Sequence, residues 1–188
     1  DACIYSNAHA LTRYAALCQE NNLVPIVEPE VLMNGSHSIE TCYEVSQRTL
    51  NVVFEQLLMH HVDLSGIVLK PNMIISGLDC NEQADVEKVA ELTFKCLKDN
   101  VPSDVPGIAF LSGGQSSDLA TAHLNKMNEK YMDDMPWNLT FSYGRALQED
   151  ALKTWCGSNR EGAQKALMLR AHSNSLATKG MATDLINS

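Results

Sequence analysis

The chain has 188 residues, 45% of them hydrophobic, enough to bury a core in one domain or part of one. Its net charge of −9 and pI near 5.0 leave no basic stripe for a phosphate backbone. General nucleic-acid binding is thereby excluded, and any anion site must be built locally from a few donors. No apolar run approaches the length of a bilayer span, and the opening DACIYSNAHA lacks the pattern of a signal peptide.

Taken in order, residues 6–21 read as an amphipathic helix capped by Ser6 or Asn7, with Ala10, Leu11, Tyr14 and Cys18 at helical spacing. LVPIVEP (23–29) has strand character. A Gly/Ser/His turn around Asn34–Ser38 leads to a long helix over 39–61 with the stripe Ile39, Cys42, Leu50, Val53 and Leu57. GIVLK (66–70) is a second strand, and a polar loop through Gly77–Asn81 opens a helix over 83–98. The Pro-containing link 101–106 feeds a third strand, GIAFLSG (107–113). SSDLATAHLNKMNEKY (116–131) is helical, with Ser116 or Ser117 as its cap and Asp118 in its first turn. LTFSYG (139–144) is the fourth strand, and helices over 145–156 and 160–177 follow.

Alternation of strands and helices of this size predicts an α/β fold of parallel strands covered by helices. The nearly continuous apolar runs in the strands predict burial on both faces. No linker divides the chain, so residues 1–188 are expected to form a single domain. Six cysteines (Cys3, Cys18, Cys42, Cys80, Cys96, Cys156) are scattered without a C-x-x-C pair. They read as reduced core thiols of a cytoplasmic protein, with no disulfide framework and no metal site. His60 and His61 are adjacent, so they point apart and lack a third ligand at metal spacing. Trp137, Trp155, Met127, Met132 and Met135 read as packing residues.

In each strand segment the unusual polar residue lies at the C-terminal end: Glu28 with Glu30, Lys70, Ser112, and Arg145. Successive members are about one strand–helix unit apart, and in a (β/α) barrel such ends converge on one rim. Lys70 closes an apolar run and is stopped by Pro71, a setting that solvates an ammonium poorly and favours the neutral amine that Schiff-base chemistry needs. The competing reading is a structural lysine whose stem lies along apolar surface. Glu28 and Glu30 could relay protons to such an amine. FLSGGQSSDLA places Gly113 and Gly114 between a strand and a helix N-terminus, where backbone N–H groups can face an anion. FSYGRALQ repeats the plan with Ser142, Gly144 and Arg145, whose guanidinium can hold phosphate through two hydrogen bonds.

The segments VPIVEPEV, IVLKPNM, FLSGGQS and W-x-LTFSYGRALQ, in this order and spacing, closely resemble class I fructose-bisphosphate aldolase over about residues 5–180. The resemblance implies a (β/α)8 TIM barrel, usually tetrameric and metal-independent, that needs no cofactor. It implies reversible cleavage of fructose 1,6-bisphosphate to dihydroxyacetone phosphate and glyceraldehyde 3-phosphate, in glycolysis and gluconeogenesis. Residue by residue, Lys70 matches the Schiff-base lysine, Glu28 the acid/base glutamate and Glu30 the second carboxylate. Ser112, Gly113 and Gly114 match one part of the substrate-phosphate site; Ser142, Gly144 and Arg145 match the other. A whole barrel typically needs about 250 residues, and only four strand segments occur here. The acidic residue and further lysines of the family's first four strands, and its terminal tyrosine, have no counterpart. The chain is therefore expected to carry strands five to eight plus C-terminal helices, and to be weakly active or inactive alone. The alternative is a non-catalytic half barrel that associates with a partner chain through open sheet edges. Another Schiff-base barrel of the transaldolase or deoxyribose-phosphate aldolase kind is a third option, against which the paired phosphate motifs argue.

Overall fold

A computed structural model describes residues 1–182. Six helices and four short strands follow one another: α1 (Ala2–Glu20), β1 (Ile26–Val27), α2 (Ile39–Met59), β2 (Val68–Leu69), α3 (Val86–Asn100), β3 (Gly107–Phe110), α4 (Ser117–Tyr131), β4 (Asn138–Phe141), α5 (Arg145–Trp155) and α6 (Arg160–Ala177). Single 3-10 turns at Leu64–Gly66 and Met132–Asp134 precede β2 and β4.

α2, α3, α4 and α6 start where short polar side chains take an orphan N–H of the first turn, whereas α1 and α5 have no side-chain cap. Ser38 accepts from Thr41 N, Asp85 from Lys88 N, Ser116 from Leu119 N and Asn159 from Gly162 N. α1 departs from expectation. Its helix runs through Ser6 and Asn7 to Ala2, and its buried positions are Ala8, Thr12 and Ala15. Ala10 and Tyr14 are exposed instead. Small residues on the inner face let α1 pack close against α2, and Ser6 and Asn7, being solvent-facing, have no reason to end the helix.

The four strands form one parallel sheet in the order β1-β2-β3-β4. Its register explains where side chains go. Val27, Leu69, Ile108 and Leu139 form one row across the sheet and all are buried. The rows on either side, on the opposite face, are Ile26, Val68, Gly107 and Asn138, and then Glu28, Lys70, Ala109 and Thr140. Ile26 and Asn138 are exposed, Val68, Lys70 and Thr140 are half-buried, and only Ala109 is buried. Consecutive helices α1 to α4 touch one another, so they form a layer on one face and leave the other open. Two-sided burial is thus not what the apolar strand runs produce here; Leu23, Val24 and Ile26 at the β1 end are exposed.

The core between sheet and helices is built from Phe54, Leu57, Ile67, Leu97, Phe110, Leu124 and Met127, among others. Trp137 is buried and donates its indole N–H to Pro102 O, 3.0 Å away. Trp155, expected to pack, is exposed at the C-terminal end of α5, as is Met132 after α4. Only Cys42 and Cys96 of the six cysteines are buried; Cys3 and Cys156 are exposed. Burial pushes the Cys42 thiol up, and burial with the neighbouring Cys42 thiol pushes Cys96 up to about 12. No helix among the described residues is long and apolar enough to cross a membrane.

Candidate active site on the open sheet face

Lys70 and Glu28 follow β2 and β1 by one residue each, in the same cross-strand row. The ladder continues to them: Lys70 N donates to Val27 O at 2.8 Å. Their side chains therefore project from the open face as neighbours, and Lys70 Nζ meets Glu28 Oε1 at 3.1 Å. The Lys70 side chain is 19% exposed and that of Glu28 43%, so the amine is recessed and its partner reaches solvent. The strictly apolar setting read from GIVLKP is thus modified by a carboxylate at the amine. Glu30 is exposed and forms no ion pair with Lys70 among the described residues. It lines, with Glu28, Ile4, Leu11, Tyr14 and Val45, a cavity of about 540 Å³ between the end of β1 and helices α1 and α2.

The loop after β3 stands at the same end of the sheet. Ser112 is buried, and Gly113 and Gly114 take φ of +58° and +75°, the left-handed region that glycine enters at least cost. A Cβ on Gly113 would meet Met33 Cγ at 3.3 Å, and one on Gly114 would meet Leu78 Cδ1 at 3.3 Å. Met33 belongs to the loop after β1 and Leu78 to that after β2, so three post-strand loops converge. The first two are also stitched by backbone: Gly77 N to His37 O at 2.9 Å, Leu78 N to Met33 O at 2.8 Å and Asp79 N to Gly35 O at 2.9 Å.

After β4, Ser142 N donates to Phe110 O at 2.8 Å, extending the ladder, and Ser142 stays half-buried. Tyr143 is buried and its hydroxyl donates to Ala120 O at 2.9 Å, tying this turn to α4. Burial raises the Tyr143 phenol far above its ordinary range. Gly144 precedes α5 with a negative φ of −86° and open space where a Cβ would stand, so its backbone freedom is not what the turn requires. Arg145 is the first residue of α5, four beyond the end of β4, and is exposed, with no ion pair among the described residues. Thus Glu28 and Lys70 touch, the Ser112 loop borders theirs, and Arg145 occupies the same end of the sheet without contacting the pair.

Sequence reasoning missed a set of buried polar residues beneath these loops. Asn72, two residues after Lys70, accepts from Val31 N at 3.0 Å and donates to Ser46 Oγ and to Met73 O, each at 3.1 Å. Gln115 Nε2 donates to Ser112 O at 2.8 Å, and Gln115 Oε1 meets His123 Nδ1 at 2.5 Å. Burial pushes His123 down to about 4. Nearer the surface, the half-buried Arg170 of α6, its side chain 14% exposed, meets Asp118 at 2.6 Å and Asp150 at 3.0 Å. It thereby joins α4, α5 and α6. A readable signal did exist for His123: it interrupts the apolar stripe Ala120, Leu124, Met127 of α4.

Comparison with known proteins bears on the family and the fold of the chain. The family model described as fructose-bisphosphate aldolase class-I matches residues 1–187. The probable fructose-bisphosphate aldolase class 1 of Xanthomonas campestris pv. campestris is 55% identical over 181 residues, covering 95% of this chain and 54% of that protein. Cytosolic fructose-bisphosphate aldolase 4 of Arabidopsis thaliana is 50% identical, over 94% of this chain and 45% of its own. A solved structure of fructose-bisphosphate aldolase from Plasmodium falciparum, in complex with TRAP and a small-molecule inhibitor, superposes with a TM-score of 0.92 at 48% identity. It covers 96% of this chain and 52% of that one. The chain spans about half the length of the curated relatives it matches. With a family model over nearly its whole length and relatives at about half identity, the chain belongs to the class I fructose-bisphosphate aldolase family.

Proposed function

We propose that residues 1–188 are a single-domain half of a (β/α)8 barrel, its strands five to eight. The protein that carries them reversibly cleaves fructose 1,6-bisphosphate through a Schiff base on Lys70. The observation that carries the reading is the Lys70–Glu28 contact at 3.1 Å on the open sheet face, beside a glycine loop at a helix N-terminus. Lys70 must lose a proton before it can attack, and Glu28 is placed to accept it. The amine nitrogen then adds to the ketose carbonyl carbon, and Glu28 returns the proton as water leaves. Glu28, a carboxylate again, takes the proton of the hydroxyl on the carbon β to the iminium. The bond between the α and β carbons breaks, its electron pair flowing into the iminium as glyceraldehyde 3-phosphate departs. The enamine left behind takes the proton back from Glu28 and is hydrolysed to dihydroxyacetone phosphate. Glu30 is the second carboxylate. Ser112, Gly113 and Gly114, with Ser142, Gly144 and Arg145, hold one substrate phosphate, so that remote binding energy positions the carbonyl over Lys70. The protein acts in the cytoplasm as a homo-oligomer, and its chemistry needs no metal or other cofactor.

Borohydride reduction of the full-length polypeptide in dihydroxyacetone phosphate should leave a covalent adduct on Lys70, absent from Lys70→Met. An unlabelled Lys70 in protein that does cleave the bisphosphate refutes the assignment. One observation favours a second reading, association of the half barrel with a partner chain. β1 and β4 are edge strands of an open sheet, and Leu23, Val24 and Ile26 are exposed at the β1 edge. A folded monomer of residues 1–188 by size exclusion and circular dichroism would count against it.

A further inference from the structure

We propose that Gln115 and His123 are positioning residues for the anion-holding loop. His123 fixes the Gln115 carboxamide, the carboxamide fixes the Ser112 carbonyl, and the Gly113 N–H is thereby turned towards a phosphate. The proposal rests on reading that loop as the substrate-phosphate site.

The geometry is that of a pinned peptide plane. Ser112 O accepts two hydrogen bonds from one residue, the Gln115 N–H at 3.1 Å and the Gln115 side-chain amide at 2.8 Å. In a trans peptide the carbonyl and the following N–H point in opposite directions. Drawing Ser112 O towards the buried Gln115 therefore turns the Gly113 N–H away from the interior. Among the described residues neither Gly113 nor Gly114 donates its N–H to another group of the chain. Both sit at positive φ, where glycine pays little for either orientation of a flanking peptide, so the orientation needs an external hold. Gln115 is not needed as a helix cap, because Ser116 already performs that role for α4.

His123 supplies the hold on Gln115. The Gln115 nitrogen is engaged as a donor, to Ser112 O and more distantly to Met73 Sδ at 3.6 Å, so its oxygen faces His123 as an acceptor. His123 must then donate from Nδ1, which fixes its neutral tautomer and leaves Nε2 bare. That Nε2 is buried without a partner, and burial favours the neutral ring. Leaving a buried acceptor unsatisfied destabilises the fold. An imidazole kept at that cost is best explained by what its other nitrogen holds. Through Met73 the same carboxamide also touches the segment that follows Lys70.

The test compares Gln115→Met and Gln115→Glu with the unsubstituted full-length polypeptide. Gln115→Glu keeps the acceptor for His123 and the side-chain size but replaces the donor to Ser112 O by a carboxylate oxygen. KM for fructose 1,6-bisphosphate should rise about tenfold in both, the equivalent of one charge-assisted hydrogen bond. kcat should change less than about threefold, since Ser142, Gly144 and Arg145 still hold the bound phosphate in place and so keep the carbonyl over Lys70. Inorganic phosphate, titrated by phosphorus NMR, should bind about tenfold more weakly to both variants. A merely structural role would lower the unfolding midpoint and leave KM and phosphate affinity within about twofold, and that result overturns the proposal. If Gln115→Met does not fold, Gln115→Glu decides alone. If the unsubstituted polypeptide binds inorganic phosphate but does not cleave the bisphosphate, the functional reading fails while the phosphate comparison still decides the role of Gln115. Failure of the unsubstituted polypeptide to bind phosphate refutes both.

Discussion

Asn72 offers the sharpest test of how the candidate site is held together. Its carboxamide joins three segments: the loop after β1 through Val31 N, helix α2 through Ser46 Oγ, and its own segment through Met73 O. Asn72→Leu keeps the side-chain size and removes all three bonds. Met73 O would be left buried and unpartnered. Val31 is half-buried and can recover part of its loss from water, and Ser46 retains its contact with Cys42. At about 1–3 kcal/mol for a buried group left unsatisfied and less for the other two, the change should cost about 3 kcal/mol. Urea unfolding should show a lower midpoint with an unchanged slope, since the area exposed on unfolding is nearly the same. Amide exchange at Val31 should accelerate by up to about 100-fold, the equivalent of that free energy. A loss below about 1 kcal/mol, with Val31 exchange unchanged, would mean that the carboxamide is not what fixes the loop bearing Glu28 to the segment bearing Lys70.

Gly77→Ala should destabilise by at least about 2 kcal/mol, because its Cβ would fall 2.3 Å from the backbone oxygen of Gly35, where no flexible side chain can give way; a thermal melt checks this. His123 titrates near 4 when folded and near its ordinary 6.5 when unfolded, so the unfolded chain binds the extra proton between those values. Stability from this group is therefore full above about pH 6.5, falls as pH drops towards 4 by on the order of 3 kcal/mol, and is level below that. His123→Asn should remove that component, seen as the difference between parent and variant urea midpoints across the window. Arg170→Lys can serve one carboxylate of Asp118 and Asp150 but not both. It should cost about 1 kcal/mol, less in high salt because both carboxylates reach solvent, as read by melts at two ionic strengths.

Much of this fold is legible from local pattern. The stripe Ile39, Cys42, Leu50, Val53 and Leu57 is buried as its spacing implies, and α6 spans Arg160–Ala177 as its sequence indicates. Ser116 caps α4, and Gly113 and Gly114 lie between β3 and the α4 N-terminus as FLSGGQS indicates, at the positive φ that the structure adds. The convergence of Glu28 and Lys70 on one end of the sheet is legible from their places at strand ends, but their contact also needs the register, which puts both in one row. What could not be read locally is long-range. Asn72 finds Ser46, 26 residues away, and Arg170 finds Asp118 at a separation of 52. No periodicity announces such pairs. α1 misled because its packing face is made of alanine and threonine, and the larger Tyr14 drew the stripe one position away. The strand runs misled because apolar composition reports what a face is suited to meet, and one face here is left open.

The backbone stitching between the loops after β1 and β2 also bears on how such a chain can change over generations. Three hydrogen bonds join residues 33–37 to residues 77–79, and the Gly77 backbone lies against Gly35 too closely for any side chain between them. A residue inserted into either loop alone would throw all three pairs out of step. The two loops are therefore one inheritable unit. They can be exchanged between relatives only together, and a chimera that transplants one without the other should fold worse than a chimera that carries both.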